Sequence, residues 1–494
     1  MKKIVYLPLD ERPCNYDFPY LMTEGSSDIN LVRPDVDSMG KKKQPADCAA
    51  LSEFLLTECR DADYLIVAID ALLYGGIIPS RLHHFNKNEL VGRLDVLKRL
   101  KVDNPGLHIS AFSLVMRCPC YSDNSEEPDY YSVCGKEIFL YGQNEHKLKL
   151  GEITREEYET EREKLSLCLP YIEDYETRRA TNLSLLSDAL VMVGEYIDEF
   201  TILQDDSNPR GYTAMDREQV LRVVGEYGID LDTYPGADEG GLTLLGRAAA
   251  YLEKKQPRIC VVYPRDGASN VTPIYEDREI HKTISAQIKS AGCIECLDEN
   301  EADFLLYCNL NDDRTYDVYL NGATQGDEGY IPAFGKRIAH TLNSGRGVAI
   351  ADVAYCNAGD ATFVLDLAGR IDLTELWGYA GWNTSSNTLG TVICQGVLRY
   401  LYGDTDVHKK FTVSRLVDDV IYSAIVRPIL RDLYKEKDGK LPKRGDESLD
   451  ILKRINEMTA IKLPDIAKKY SVTDCHLPWN RLFEIGLKIE GREI

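Results

Sequence analysis

Residues 200–222, FTILQDDSNPRGYTAMDREQVLR, decide how the chain is to be read. Phe200 to Gln204 is an apolar run of strand length. It leads directly into Asp205 and Asp206, then into Asn208, Pro209 and Gly211, and a helical pattern starts near Ala214 to Asp216. Strand, polar loop and helix in that order form the repeating unit of a parallel α/β fold. The two aspartates stand several residues ahead of the helix, too early to cap it. Neighbouring carboxylates repel, so one tends to stay protonated at neutral pH, as a general acid beside a charged partner must. A solvated turn is the plain alternative.

The same unit recurs on both sides of this segment. KIVYLPL, YLIVAI ending at Asp70, HISAFSLVM leading to Arg117 and the weaker IDLDTYPG before Asp238 are apolar runs. RICVVYP before Arg265 and Asp266, DFLLYCN ending near Asn309 and GVAIAD ending at Asp352 complete the set. Amphipathic stretches such as NELVGRLDVLKRL and REIHKTISAQIKSAG lie between them. Eight such strands in roughly 400 residues predict a (β/α)8-type barrel, with a doubly wound parallel α/β sheet as the alternative. Residues 118–200 are too long for a simple connection and read as a helical insertion. The α/β rhythm stops near 403, so 1–403 reads as a catalytic domain and 404–494 as a mainly helical C-terminal appendage.

Composition narrows the partners. With 80 acidic against 58 basic residues the formal charge is -22, which repels phosphate backbones and anionic lipid. Nucleic acid and membrane are therefore not expected as partners, and a small molecule or oligosaccharide is. No apolar window reaches the ~18 residues a membrane helix needs. The opening MKKIVYLPLDERP is broken at Pro8 and Asp10 and reads as a first strand rather than a signal. The 14 cysteines are scattered, mostly in apolar stretches, and read as buried thiols of a cytoplasmic, reducing setting. HxH, HExxH, GxSxG and Walker patterns are missing, and Cys118/Cys120 and Cys293/Cys296 are lone pairs, so no cofactor or zinc site is expected.

Carboxylates recur just after the apolar runs, where parallel α/β folds bind ligands. Asp10, Asp70, Asp205, Asp206, Asp238, Glu239 and Asp352 share this placement, although each can instead cap a helix. Gly236, Gly240 and Gly241 surround Asp238 and Glu239 and allow a close backbone approach. Arg12 stands beside Asp10. Tyr74 and Arg81 follow Asp70, and Arg265 and Asp266 follow their strand; these are hydroxyl- or carboxylate-binding candidates with salt bridges as the alternative. Trp382, Asn383 and Asn387 bring an aromatic face and amides together, the means by which proteins hold sugars.

PLDERPCNYDFP, DALLYGGIIPSR, LQDDSNPRGYT, PGADE and GWNTSSNTLGT together resemble a bacterial family of unknown function that opens with a PLDxRP motif. A fainter resemblance is to the O-GlcNAcase-like β-N-acetylglucosaminidases, which carry an Asp-Asp pair after a fourth barrel strand and a Trp-Asn motif after a late one. That resemblance implies substrate-assisted hydrolysis: Asp205 orients a 2-acetamido nucleophile, Asp206 is the general acid/base, and Asn383 binds sugar. The expected activity is thus a glycoside hydrolase acting on a small sugar conjugate, 2-acetamido sugars included. The alternatives are a Mg-dependent phosphoryl- or carboxyl-group enzyme using the strand-end aspartates, and a non-catalytic sugar-binding protein.

Overall fold

Short runs rich in β-branched and aromatic residues extend into strands when neighbours can pair with them. The computed structural model describes residues 1–310, 314–318, 328–434 and 447–492, and it forms a strand at each of the eight runs above. The first sheet contains β1 (Lys2–Leu7), β2 (Ile29–Val32), β3 (Tyr64–Ala68), β4 (His108–Val115), β5 (Glu199–Gln204) and β6 (Asp232–Pro235). Their order is β2-β1-β3-β4-β5-β6, and β1, β3, β4, β5 and β6 are parallel along it. The second sheet contains β7 (Arg258–Val262), β8 (Ile294–Cys296) and β9 (Phe304–Asn309). After the two-residue β10 (Tyr316–Asp317) it resumes with β11 (Gly347–Asp352), and, past β12 (Tyr355–Cys356), with β13 (Gly378–Ala380). Its order is β8-β7-β9-β11-β13, again parallel throughout. β10 pairs with β12, and β14 (Tyr470–His476) pairs antiparallel with β15 (Gly486–Gly491).

The expected barrel is not formed: the described strands make two open, largely parallel sheets. A barrel grows in one direction. Here the chain adds its second strand on one side of the first and its third on the other, which leaves β1 and β7 interior and creates two edges in each sheet. β6 ends the first sheet, and Pro235 at its end supplies no backbone donor for further pairing.

The chain divides into two compact units: Met1–Glu11, Leu31–Gly241 and Tyr275–Asp277 form one, and Arg12–Asn30, Leu242–Ile274 and Arg278–Ile494 form the other. In the first unit, the stretch between β4 and β5 folds into three α-helices, Tyr131–Lys149, Arg155–Lys164 and Leu169–Val191. Met116, Tyr131, Ile138, Ile172, Tyr175 and Tyr212 pack into their own apolar cluster there. Cys134 and Cys168 lie in this cluster joined by a disulfide, so the expectation of thiols throughout is corrected at these two positions. The other twelve cysteines are free; Cys120 is exposed and Cys48 half-buried.

In the second unit, residues beyond 403 share one core with the sheet. Val413, Leu416, Val420 and Ile421 pack with Leu305, Tyr307, Val348 and Ile350. The π-helical segment Leu416–Val426 is buried at nearly every position, as a helix apolar on all sides must be. Among the described residues no helix is long and apolar enough to cross a membrane.

Candidate functional site

β4 and β5 are neighbours, so the residues that follow them lie side by side. β4 leads into Arg117, and β5 into Asp205 and Asp206. Arg117 Nη1 donates to Asp206 Oδ2 at 3.0 Å. Arg81, on the helix Ile77–Leu82 after β3, donates through Nη2 to Asp205 Oδ2 at 2.5 Å. The loop after β4 returns two more carboxylates. Arg117 Nε donates to Glu127 Oε1 at 2.8 Å and its Nη2 to Glu126 Oε2 at 3.1 Å. Arg81 Nη1 lies 3.4 Å from both glutamates.

Two guanidiniums thus face four carboxylates, an excess of negative charge that one proton relieves. Burial pushes Asp206 up to about 6; Arg117 pulls it down and the Asp205 charge pushes it further up. The Asp206 side chain keeps 27% of its surface open, whereas Asp205, Glu127 and Arg81 are buried. Asp206 also sits at φ +40°, a conformation few residues with a side chain adopt, at the turn out of the strand. Neither aspartate caps the next helix: Tyr212–Tyr227 starts after Gly211, which stands at φ +117°.

The helical insertion holds this arrangement in place. Arg179 donates to the carbonyls of Met116 at 2.7 Å and Arg117 at 2.9 Å, and is itself fixed by Asp216, with Nε to Oδ2 at 2.7 Å. Tyr175 Oη donates to the Arg117 carbonyl at 2.8 Å. The backbone bearing Arg117 is therefore clamped by buried donors from the helix Leu169–Val191.

The other candidates of the first unit are buried, and the Asp205 charge reaches Asp70 among them. Asp70 is buried, and its Oδ2 accepts from Ser113 Oγ at 2.8 Å and Leu114 N at 3.0 Å; burial pushes it up to about 6. Tyr74 is buried and stacks on His83 with ring centres 4.8 Å apart. Asp10 and Asp238 are buried. Glu239 is fully buried; its Oε2 accepts from Ala237 N at 3.0 Å and burial pushes it up to about 8. Gly236 makes the room for it, since a Cβ there would come within 1.8 Å of Glu239 Oε1.

Asp352, Trp382, Asn383, Asn387, Arg12, Arg265 and Asp266 belong to the second unit. Asp352, at the end of β11, accepts from Asn309 Nδ2 at 2.8 Å, Tyr379 Oη at 2.7 Å and Asp360 N at 2.7 Å. It is wholly buried, and burial, with the Asp360 charge beside it, pushes it up to about 7. Asp419 accepts from Gly381 N at 2.8 Å and Arg415 Nη1 at 3.1 Å, and burial pushes it up to about 8. Arg415 Nη2 also donates to Asp418 at 2.7 Å, and the guanidinium lies 3.9 Å over the Phe18 ring. Trp382 packs edge-on against Phe18 and donates its Nε1 to Thr391 Oγ1 at 3.0 Å. Asn383 takes φ +52°, and Asn387 is buried in the first turn of the helix Ser385–Tyr402. Arg12 is buried with its guanidinium 4.8 Å over Trp479, while Arg265 and Asp266 are exposed in a turn.

Of the candidates read from sequence, Arg81, Asp205 and Asp206 are brought into one cluster. Arg117, Glu126 and Glu127 complete it and were not among them. Arg117 had a signal, since it ends an apolar run; the glutamates sit in a polar loop, SDNSEEPDYY, that looks like any solvated connection. Asp418 and Asp419 also had a signal: adjacent acids inside the apolar stretch LVDDVIYSAIV demand a buried partner. Among the described residues no group of three or more His, Cys, Asp or Glu side chains is arranged to hold a metal ion. No curated protein and no solved structure matches the chain. A family model described as "Protein of unknown function (DUF4127)" matches residues 4–488, and the chain belongs to that family.

Proposed function

We propose that the Asp206 cluster is the acid–base centre of a hydrolase that cleaves a glycosidic bond in a small sugar conjugate. The observation that carries this reading is Asp206 itself. It is a partly open carboxylate at the end of a parallel strand, held by a guanidinium and raised to about 6 by burial. A general acid works best with a pKa near the operating pH and a route to solvent. Asp206 would give its proton to the leaving oxygen as the glycosidic bond breaks and recover one from the attacking water. Asp205, buried on Arg81, is the charged neighbour that helps to keep the proton on Asp206.

A second carboxylate is needed unless a substrate acetamido group attacks. Glu126 is the candidate in the cluster. It shares Arg117 with Asp206, each accepting from one of the two outer nitrogens, and 16% of its side chain is open.

The test is Asp206→Asn against aryl glycosides with graded leaving groups. Turnover on poor leaving groups should fall by about 10²–10³, the usual contribution of a general acid, while activated leaving groups lose far less. Unchanged turnover on a poor leaving group would remove Asp206 from the acid role. Inclusion of 2-acetamido and plain glycosides in the series separates substrate assistance from a role for Glu126.

A further inference from the structure

The loop between Arg117 and Glu126 is closed at its stem by ion pairs. Arg117 reaches Glu126 at 3.1 Å and Glu127 at 2.8 Å, and its remaining nitrogen holds Asp206. The rest of the loop is fastened to the helix Tyr131–Lys149. Tyr131 Oη donates to the Pro119 carbonyl at 2.9 Å, and Lys136 N donates to Ser122 Oγ at 3.2 Å. Between those two bonds, the Tyr121 carbonyl packs so tightly on Gly135 that a Cβ there would lie 2.6 Å from it. A side chain on this loop is therefore presented from a fixed backbone.

Tyr121 is that side chain. It is 48% exposed, whereas Tyr131, Tyr175 and Tyr212 of the adjoining apolar cluster are buried. Its phenol end senses the cluster: the Arg117 charge pulls its pKa down, while burial and the charges of Asp206, Glu126 and Glu127 push it up, and the upward push wins. Tyr121 thus lies within electrostatic reach of Asp206 and remains exposed to water. An aromatic ring left in water on a rigid loop beside an acid suits stacking against the C–H face of a sugar.

We propose that Tyr121 is a substrate-binding residue, a stacking platform for the sugar ring whose glycosidic oxygen Asp206 protonates. This rests on reading the cluster as a glycosidase centre and adds to it the wall that orients the ring. The ring, and not the hydroxyl, is the working part.

The experiment compares Tyr121→Ala, Tyr121→Leu, Tyr121→Phe and Tyr121→Trp in the full chain, using the aryl glycoside that the unaltered protein turns over fastest. Saccharide uptake is followed independently by saturation-transfer NMR with the parent sugar. Alanine should raise KM by more than twofold and up to about tenfold, since aromatic contacts of this kind contribute about 0.5–1.5 kcal/mol. Leucine should behave like alanine, which covers any disturbance of the loop by a small residue. Phenylalanine and tryptophan should stay within about twofold of the parent, given that a ring remains to stack. KM unchanged in alanine and leucine, in a protein that still hydrolyses glycosides, overturns the platform and leaves the Asp206 reading standing. A phenylalanine variant as impaired as alanine overturns it too, since the hydroxyl would then be responsible. An unaltered protein that neither hydrolyses glycosides nor takes up saccharide sinks both.

Discussion

After β4 the first unit places Arg117; at the end of β11, the strand at the matching position of the second sheet, the chain places Asp352. After β5 comes Asp205-Asp206, and after the matching β13 comes Gly381-Trp382-Asn383. The sheets are threaded alike, β2-β1-β3-β4-β5 and β8-β7-β9-β11-β13, but the ends of the strands are finished in opposite ways. In the first unit two guanidiniums hold four carboxylates, and two of these, Asp206 and Glu126, remain partly open. In the second, Asp352 is surrounded by neutral donors and wholly buried, and one guanidinium, Arg415, bonds both Asp418 and Asp419. An acid held by a cation and open to water can exchange protons with a ligand. An acid sealed from water is pushed towards its protonated form by burial, against the pull of the donors around it, and works as a hydrogen-bonding core residue. Position at a strand end is thus not enough to mark a functional carboxylate; its partner and its exposure decide.

The comparison is broken most forcefully at Arg415. Arg415→Met strands Asp418 and Asp419 in a low-dielectric core, and should cost about 3–5 kcal/mol in urea unfolding. A loss below ~1 kcal/mol would mean that these acids are not a structural network. Next comes Asp206→Asn, expected to lower turnover by about 10²–10³ while leaving stability within ~1 kcal/mol. Should stability drop as far as in Arg415→Met, the two strand ends would be doing the same job.

The pH dependence is the third way to sharpen the contrast. Asp352 and Asp419 are held at about 7 and about 8 in the fold, against ordinary carboxylate values near 4 in the unfolded chain. Between those limits the folded chain keeps protons the unfolded one has released. Their stabilising effect is therefore complete below about pH 4 and is lost progressively as pH rises from there through about 7 and 8. Asp419→Asn should flatten the decline, and an equally steep slope in that variant would show that other groups cause it. Turnover that needs protonated Asp206 should fall once pH passes about 6.

The smallest effect concerns the helices that follow β5 and β13. Gly211 begins the first without a side-chain cap, whereas Thr384 caps the second by accepting from Asn387 N. Thr384→Ala should cost about 1 kcal/mol in thermal unfolding. A cost near zero would erase this part of the contrast.

The strands were legible because each is a bounded apolar run. Closure was not, because it turned on the shortest strands. β2, INLV, and β8, IEC, are too brief to stand out, yet their placement on the far side of β1 and β7 is what opens both sheets. Asp205 and Asp206 were legible from the gap before their helix, and that gap is present. Glu126 and Glu127 were not, since a loop carboxylate has no periodicity and acquires its meaning only when Arg117 folds against it. Asp352 could be located but not interpreted: its neutral donors come from β9, β13 and the turn at Asp360, far apart in sequence.

The division of the chain has a consequence for how it is made. Helix Pro13–Leu21 belongs to the second unit, where Phe18 packs on Trp382, Phe411 and Arg415. A ribosome delivers this helix long before Trp382, Phe411 and Arg415. Until they emerge its apolar face stays unpaired, and such long-range closure is slow. The second unit can reach its native packing only once Arg415 has been made, so this helix needs cover of the kind a chaperone gives during that interval.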